Sequence, residues 1–158
     1  MIKIILKRGR EESLLRFHPW VFSGAIAEIQ GNPAEGDLVS VHASDGGILA
    51  YGHYQIGSIA VRVLSFEREE IDSTWWQKRI ASAKSLREAL GIAHNAETTC
   101  YRLVHGEGDL LPGLVVDVYE RTAVVQCHSV GMYHSRMQIA EAIRAVYGDE
   151  IEAIYDKS

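Results

Sequence analysis

Two short stretches near the N-terminus carry side chains able to act together on an anion. Lys7-Arg8-Gly9-Arg10 groups three cations within four residues, and Arg16 and His18 follow closely. Lysine and arginine neutralise phosphate oxygens, and arginine does so through a planar fork of donors. His18 precedes Pro19-Trp20. An imidazole beside an indole can stack on a nucleotide base. The same tripeptide also reads as a turn whose indole packs on a barrel, and the residues alone leave both readings open. Within the first twenty residues Lys3, Lys7, Arg8, Arg10 and Arg16 stand against Glu11 and Glu12, a local excess of positive charge in a chain of net charge -5. The basic loop precedes a short helix, so backbone N–H groups and a positive dipole end are expected to add to the side-chain charge. From charge alone, an ordinary solvated face explains the loop as well.

A second pattern is His105-Gly106-Glu107-Gly108-Asp109. Alternate residues point the same way only in extended chain, and the two glycines argue for a turn. The expectation is a structured loop whose acids accept backbone N–H bonds, with a metal site as the rival. Cys100 and Cys127 lie in apolar strand patterns and read as small buried hydrophobes. Two cysteines suit neither a disulfide scaffold nor a four-thiolate zinc site, which makes a reducing, cytoplasmic setting the default. No G-x-G-x-x-G, P-loop, H-E-x-x-H or G-x-S-x-G is present. Catalytic, cofactor-binding and metal residues are therefore all read as none. No apolar run approaches the roughly 20 residues of a membrane helix, and the apolar N-terminal stretch is too short for a signal-peptide core.

The elements that must position these residues differ between the two halves. Ile2-Lys3-Ile4-Ile5-Leu6 is a short strand, and a short helix is expected over Glu11 to Phe17, stopped by Pro19. Asp37 to Ser44 and Ile48 to Tyr54 read as paired strands around an Asp45-Gly46-Gly47 turn, followed by a strand over Ile59 to Phe66. Short strands between glycine-rich turns suggest a small barrel. Glu67-Arg68-Glu69-Glu70 is a charged linker, and Asp72 or Ser73 caps a helix over 73–90 that Gly91 closes. Strands follow at Cys100 to His105, Leu114 to Tyr119 and Thr122 to Cys127. One helix over Met132 to Tyr147 and a strand over Ile151 to Tyr155 complete the pattern. Two units, 1–70 and 73–158, are expected, the 158-residue chain being long enough for two small domains.

Two stretches carry a more specific signal. The run Lys7-Arg8-Gly9-Arg10-Glu11-Glu12-Ser13-Leu14-Leu15-Arg16-Phe17-His18-Pro19-Trp20-Val21-Phe22-Ser23-Gly24-Ala25-Ile26 resembles the opening of the PUA domain in bacterial class I rRNA large-subunit methyltransferases. Those enzymes are S-adenosylmethionine (SAM)-dependent and act on cytosine C5 of 23S rRNA. Tyr101-Arg102-Leu103-Val104-His105-Gly106-Glu107-Gly108-Asp109-Leu110-Leu111-Pro112-Gly113-Leu114-Val115-Val116-Asp117 resembles the signature of their central domain, except that Leu110 stands where relatives commonly carry glycine. The resemblance implies an α+β chain: a PUA-like small β-barrel, a linker helix, and a small strand–strand–helix–strand α+β domain. It implies RNA binding through Lys7, Arg8, Arg10, Arg16 and His18, with rRNA as partner, no membrane, and self-association left open. It further implies that SAM belongs to the full-length protein and that this sequence is a fragment ending before the catalytic Rossmann-type domain. Neither Cys100 nor Cys127 matches the family's nucleophile.

Three functions compete at this level. The chain reads first as the RNA-recognition portion of a 23S rRNA methyltransferase. The rivals are a stand-alone PUA-type RNA-binding adaptor and a small metal-dependent hydrolase built on His105, Glu107 and Asp109. A glycine-rich strand–helix start past Ser158 would separate the first two, and metal content of the purified protein would test the third.

Overall fold

The computed structural model describes residues 1–158 and divides into two compact units, Met1–Glu69 and Glu70–Ser158. No helix is long and apolar enough to cross a membrane.

The first unit holds strands β1 (Ile2–Leu6), β2 (Trp20–Phe22), β3 (Ile26–Gln30), β4 (Leu38–His42), β5 (Ile48–Tyr54) and β6 (Ile59–Ser65), with one helical turn, α1 (Glu12–Leu15). They form one sheet of order β2-β6-β5-β4-β1-β3, parallel only between β1 and β4. The sheet has to curl. Its two edge strands, β2 and β3, are consecutive in the chain and joined only by a 3-10 turn, Ser23–Ala25. In a flat sheet they would lie five strand spacings apart, about 24 Å. Four Cα steps from Phe22 to Ile26 reach at most about 15 Å. Register shifts at Ile5/Leu6, Val21/Phe22, Val41/His42 and Tyr51/Gly52 supply the bend. At the last of these a Cβ on Gly52 would lie 2.3 Å from the Arg62 carbonyl oxygen, so only glycine lets β5 and β6 approach this closely.

The small barrel that the sequence suggested is a curled half-barrel, whose ladder stays open between β2 and β3. Inside the curl sit Ile4, Leu6, Leu14, Val21, Val39, Val41, Ala50, Val61 and Val63. Leu14 is 3% exposed and is the only buried residue of α1. A four-residue helix has no independent stability, so this one side chain, worth roughly 1.5–3 kcal/mol of burial, moors the turn that carries Arg10 and Arg16 on its flanks. β2 and β3 escaped the sequence reading. Both are short edge strands, and their exposed residues break the apolar alternation.

The second unit begins with α2 (Ser73–Ala89), capped by the Asp72 carboxylate, which accepts the Trp75 N–H at 2.8 Å. Strands β7 (Cys100–His105), β8 (Leu114–Tyr119), β9 (Thr122–Cys127) and β10 (Ala153–Asp156) form a sheet of order β10-β9-β8-β7. Helix α2 packs against β7 and against α4 (Arg136–Tyr147). The single helix expected over Met132 to Tyr147 is two helices, α3 (Val130–His134) and α4. The Ser135 hydroxyl donates to the Gly131 carbonyl at 3.0 Å, which helps close α3 before α4 begins. Cys100 is exposed and Cys127 half-buried, against the expectation of two buried thiols. Cys100 opens β7, an edge strand, and its cross-strand partner Tyr119 is exposed as well.

Candidate nucleic-acid interface

The basic loop lies beside the open seam of the curled sheet. The Lys7 N–H donates to the Ala25 carbonyl at 2.8 Å, and its ammonium donates to the Gly24 carbonyl at 2.9 Å. Lys7 thus spends part of its donor capacity tying the loop to the turn between β2 and β3. Arg8 and Arg10 are exposed, and no carboxylate pairs with either. Arg16 reaches Glu12 at 3.3 Å, but both side chains are more than 70% exposed, so the pair is screened and easily exchanged for another anion. The helix contribution expected here falls away. α1 has only four residues and carries Glu12 in its first turn, so its dipole is short and partly cancelled. Anion binding falls on the side chains.

A cleft of about 370 Å³ opens at this seam. Buried Leu6, Leu14 and Val21 supply its apolar lining, and Arg10, Ser13, His18 and Phe22 add polar and aromatic groups. An apolar lining with a few convergent polar groups suits a planar heterocycle attached to an anionic backbone. A neighbouring groove of about 560 Å³ is lined by Glu12, Ser13, Arg16, Phe17, His18 and Pro19. His18 lies in both, Arg10 in the first and Arg16 in the second; Arg8 lines neither.

Backbone contacts orient the His18 ring. His18 Nδ1 lies 3.3 Å from both the N–H and the carbonyl oxygen of Trp20, and these contacts leave Nε2 facing outward and free to meet a ligand. The ring also packs against Trp20 and Phe22, with centroids at 5.7 and 6.1 Å. Trp20 is half-buried with the Arg62 guanidinium 5.8 Å from its ring centroid, so part of its aromatic surface is already used. The indole packs on the sheet while the imidazole faces outward. Phe17, Phe22 and Ser13 join this surface although no motif reading picked them out.

The second unit carries the other pattern of interest, and there the acids are occupied. Asp109 accepts both outer nitrogens of Arg87, one of them at 2.8 Å, and the His105 N–H at 2.6 Å. Arg87 Nε donates to the Arg102 carbonyl at 3.0 Å. Asp109 accepts a backbone N–H, as the structured-loop reading expected, and also locks the loop to α2 through Arg87. Leu110 adopts φ +59°, a left-handed conformation that glycine takes without strain.

A cleft of about 410 Å³ in this unit is lined by His94, Tyr101, Arg121, Tyr147 and Glu150, among others. The Tyr101 and Tyr147 hydroxyls lie 2.8 Å apart, and burial raises the pKa of both, so they stay neutral. The Lys84 ammonium sits 4.5 Å from the Tyr147 ring centroid and pairs with Glu150 at 3.0 Å. The residues of this unit do not fit a dinucleotide-type cofactor cradle. Only β9 and β10 run parallel, and the glycine turns at Gly113 and Gly148 lead into a strand and out of a helix. Gly106, at φ +50°, follows β7 but opens only the four-residue 3-10 turn Gly106–Asp109, not the helix of a dinucleotide cradle.

Comparison with known proteins agrees with this architecture. Residues 4–66 match the PUA-like domain family. The chain is 39% identical over 159 residues to ribosomal RNA large subunit methyltransferase I of Erwinia tasmaniensis, covering 99% of this chain and 39% of that protein. It is 40% identical over 147 residues to the same-named protein of Vibrio vulnificus, covering 92% of this chain and 36% of that protein. For the counterpart from Aeromonas salmonicida, identity is 40% over 157 residues, covering 98% and 39%. The chain thus spans about two fifths of the length of these curated relatives. Among solved structures, a SAM-dependent methyltransferase from Streptococcus mutans superposes with a TM-score of 0.82 at 21% identity, covering 99% of this chain and 41% of its own. A second, a methyltransferase complexed with SAH, gives 0.81 at 22% identity, covering 98% and 40%. These two establish a shared fold.

Proposed function

We propose that this chain is the RNA-recognition portion of a SAM-dependent methyltransferase acting on cytosine C5 of 23S rRNA. In this reading, Met1–Glu69 is a PUA-like RNA-binding domain and Glu70–Ser158 a central α+β domain of a longer cytoplasmic protein. The observation that carries the reading is the open seam, where Arg10, Ser13, His18 and Phe22 meet over an apolar lining beside unpaired Arg8. The rRNA methyltransferase relatives, matched over nearly the whole of this chain, support it.

The residues divide the work by chemistry. Arg8, Arg10 and Arg16 neutralise backbone phosphates, and Lys7 adds charge while holding the loop in place. His18 offers an oriented imidazole with Nε2 outward, and the apolar lining accepts the uncharged face of a base or ribose. Unstacked single-stranded RNA suits this surface, because the deep groove of an A-form helix excludes side chains. SAM, bound in another part of the longer protein, supplies the methyl group. The residues here bind and orient the RNA.

Titration of an rRNA fragment at several salt concentrations tests the proposal. Four phosphate contacts give a log–log salt slope of about -3, from roughly -0.7 per contact. An Arg8→Ala, Arg10→Ala double variant is expected to bind more weakly, with a slope near ~-1.4. Unchanged affinity and slope would remove this surface from RNA binding. A calorimetric titration of the isolated chain with SAM is expected to show no stoichiometric site.

A further inference from the structure

α1 ends in a way that its backbone does not explain. The Phe17 N–H donates to the Leu14 carbonyl and the His18 N–H to the Ser13 carbonyl, both at 2.9 Å. With Arg16 as C-cap, this is a Schellman motif with Phe17 at the C′ position. That position requires a left-handed backbone, and Phe17 has φ +62°. Glycine takes this conformation without cost; a bulky side chain there is strained. The chain uses glycine just beyond its other two long helices, Gly91 at φ +69° after α2 and Gly148 at φ +56° after α4. At these two helix ends the position is glycine; among non-glycine residues only Phe17, His94, Leu110 and Glu120 hold a positive φ.

The phenyl ring is not repaid by burial. Phe17 is 70% exposed, and its ring is braced edge-on by partly buried Phe66, with centroids 5.3 Å apart at 90°. It forms part of the 560 Å³ groove whose other walls include Arg16 and His18. A cation, an exposed aromatic and an imidazole thus stand in consecutive positions, Arg16-Phe17-His18. A planar base with a phosphate on either side matches that order: the ring face takes the base and the flanking groups take the phosphates. Base–aromatic stacking tolerates sequence and gains from a ring held in place before binding.

We propose that Phe17 is a base-stacking residue: the strained C′ position holds its ring in solvent as a platform for one unstacked nucleobase of single-stranded RNA. The proposal rests on the RNA-binding reading of this surface and adds to it a contact with a base, separable from contacts with phosphate. An exposed apolar ring between a guanidinium and an imidazole is a poorer docking point for an apolar protein surface, which would have to desolvate Arg16 and His18.

The experiment uses the full chain, a short oligouridylate and an abasic oligomer of the same length. Wild type is expected to prefer the oligouridylate. Phe17→Asn, which tolerates the left-handed backbone, is expected to bind the oligouridylate roughly 5- to 100-fold more weakly, to bind the abasic oligomer as wild type does, and to keep its salt slope. Phe17→Trp is expected to retain the preference. The melting temperature of Phe17→Asn should equal or exceed that of wild type. A lowered melting temperature with an unchanged oligouridylate affinity would assign the ring to the fold through Phe66 and overturn the proposal. Equal binding of the two oligomers by wild type would overturn base stacking while leaving phosphate binding intact. Failure of wild type to bind either oligomer would overturn both readings. Concentration-dependent self-association lost in Phe17→Asn, with RNA binding unchanged, would reassign the ring to a second copy of the chain.

Discussion

The two units use arginine in opposite ways. In the second unit Arg87 is held by Asp109, Arg102 by Asp117, Arg121 by Glu152 and Arg136 is 3.8 Å from Asp156. Around the seam of the first unit, Arg8 and Arg10 face solvent without a carboxylate partner, and Arg16 holds only the exposed Glu12. The same residue type therefore braces several loops of the second unit, where exposed Arg144 is the exception, and stays available to anions around the seam of the first. Arginine content says little about nucleic-acid binding until the partners are known. An arginine satisfied by a buried carboxylate has no donor to spare for phosphate, whereas an unpaired one gains most from it.

The largest expected effect lies at the most buried pair. The Arg87 and Asp109 side chains are 11% and 5% exposed. Arg87→Met strands the Asp109 carboxylate and is expected to cost about 3–5 kcal/mol, read as a lowered denaturation midpoint, with little change in RNA affinity. A neutral result would break the contrast between braced and available arginines. An intermediate effect is expected at the tyrosine pair. The folded pKa of Tyr147 is raised above its ordinary value of 10.0, first by burial and then by Tyr101. A raised pKa means that the folded state keeps the proton more tightly than the unfolded state. That stability is fully present below pH 10 and is lost as pH rises further. Tyr147→Phe is expected to cost about 0.5–1.5 kcal/mol at neutral pH and to flatten the decline in stability above pH 10, followed by denaturant melts at stepped pH.

On the available side, the double variant Arg8→Ala, Arg10→Ala is expected to change stability by less than about 0.5 kcal/mol while reducing the salt slope of RNA binding. A large loss of stability would show these arginines to be braces too. The smallest effect belongs to the exposed pair. Glu12→Gln releases Arg16 and removes a negative charge, so stability should shift by less than about 0.5 kcal/mol, and RNA affinity should rise by a factor of a few at low salt. The gain should fade as salt screens it.

How much of this was legible in the sequence depends on the range of the interaction. Strand β1, the β4–β5 turn at Gly46, and α2 with its Asp72 cap and Gly91 stop follow from residues a few positions apart. Period-2 and period-3.6 patterns report local backbone geometry. The basic loop and the His-Pro-Trp turn were visible for the same reason, as was an acid of the His105–Asp109 loop accepting a backbone N–H. Misreadings fell where apolar periodicity is silent, at a local side-chain bond or a distant partner. One helix became two because Ser135 bonds back to Gly131, a choice that periodicity does not record. Cys100 is exposed because β7 lies at a sheet edge, which depends on strand order.

By itself the sequence determined which segments could be strands or helices, where the local cations lie and how the chain turns between elements. Those properties belong to covalent neighbours and to side-chain chemistry. Only the tertiary structure decided that β2 and β3 end on opposite edges of one curled sheet, leaving a seam open between them. It alone decided that Arg10, His18 and Phe22 share a cleft there, that Lys7 is partly spent on Gly24, and that Arg87 is satisfied while Arg8 is not. Burial and pairing depend on what arrives from tens of residues away, and a side chain's chemistry is set by the partner and the solvent it meets on folding.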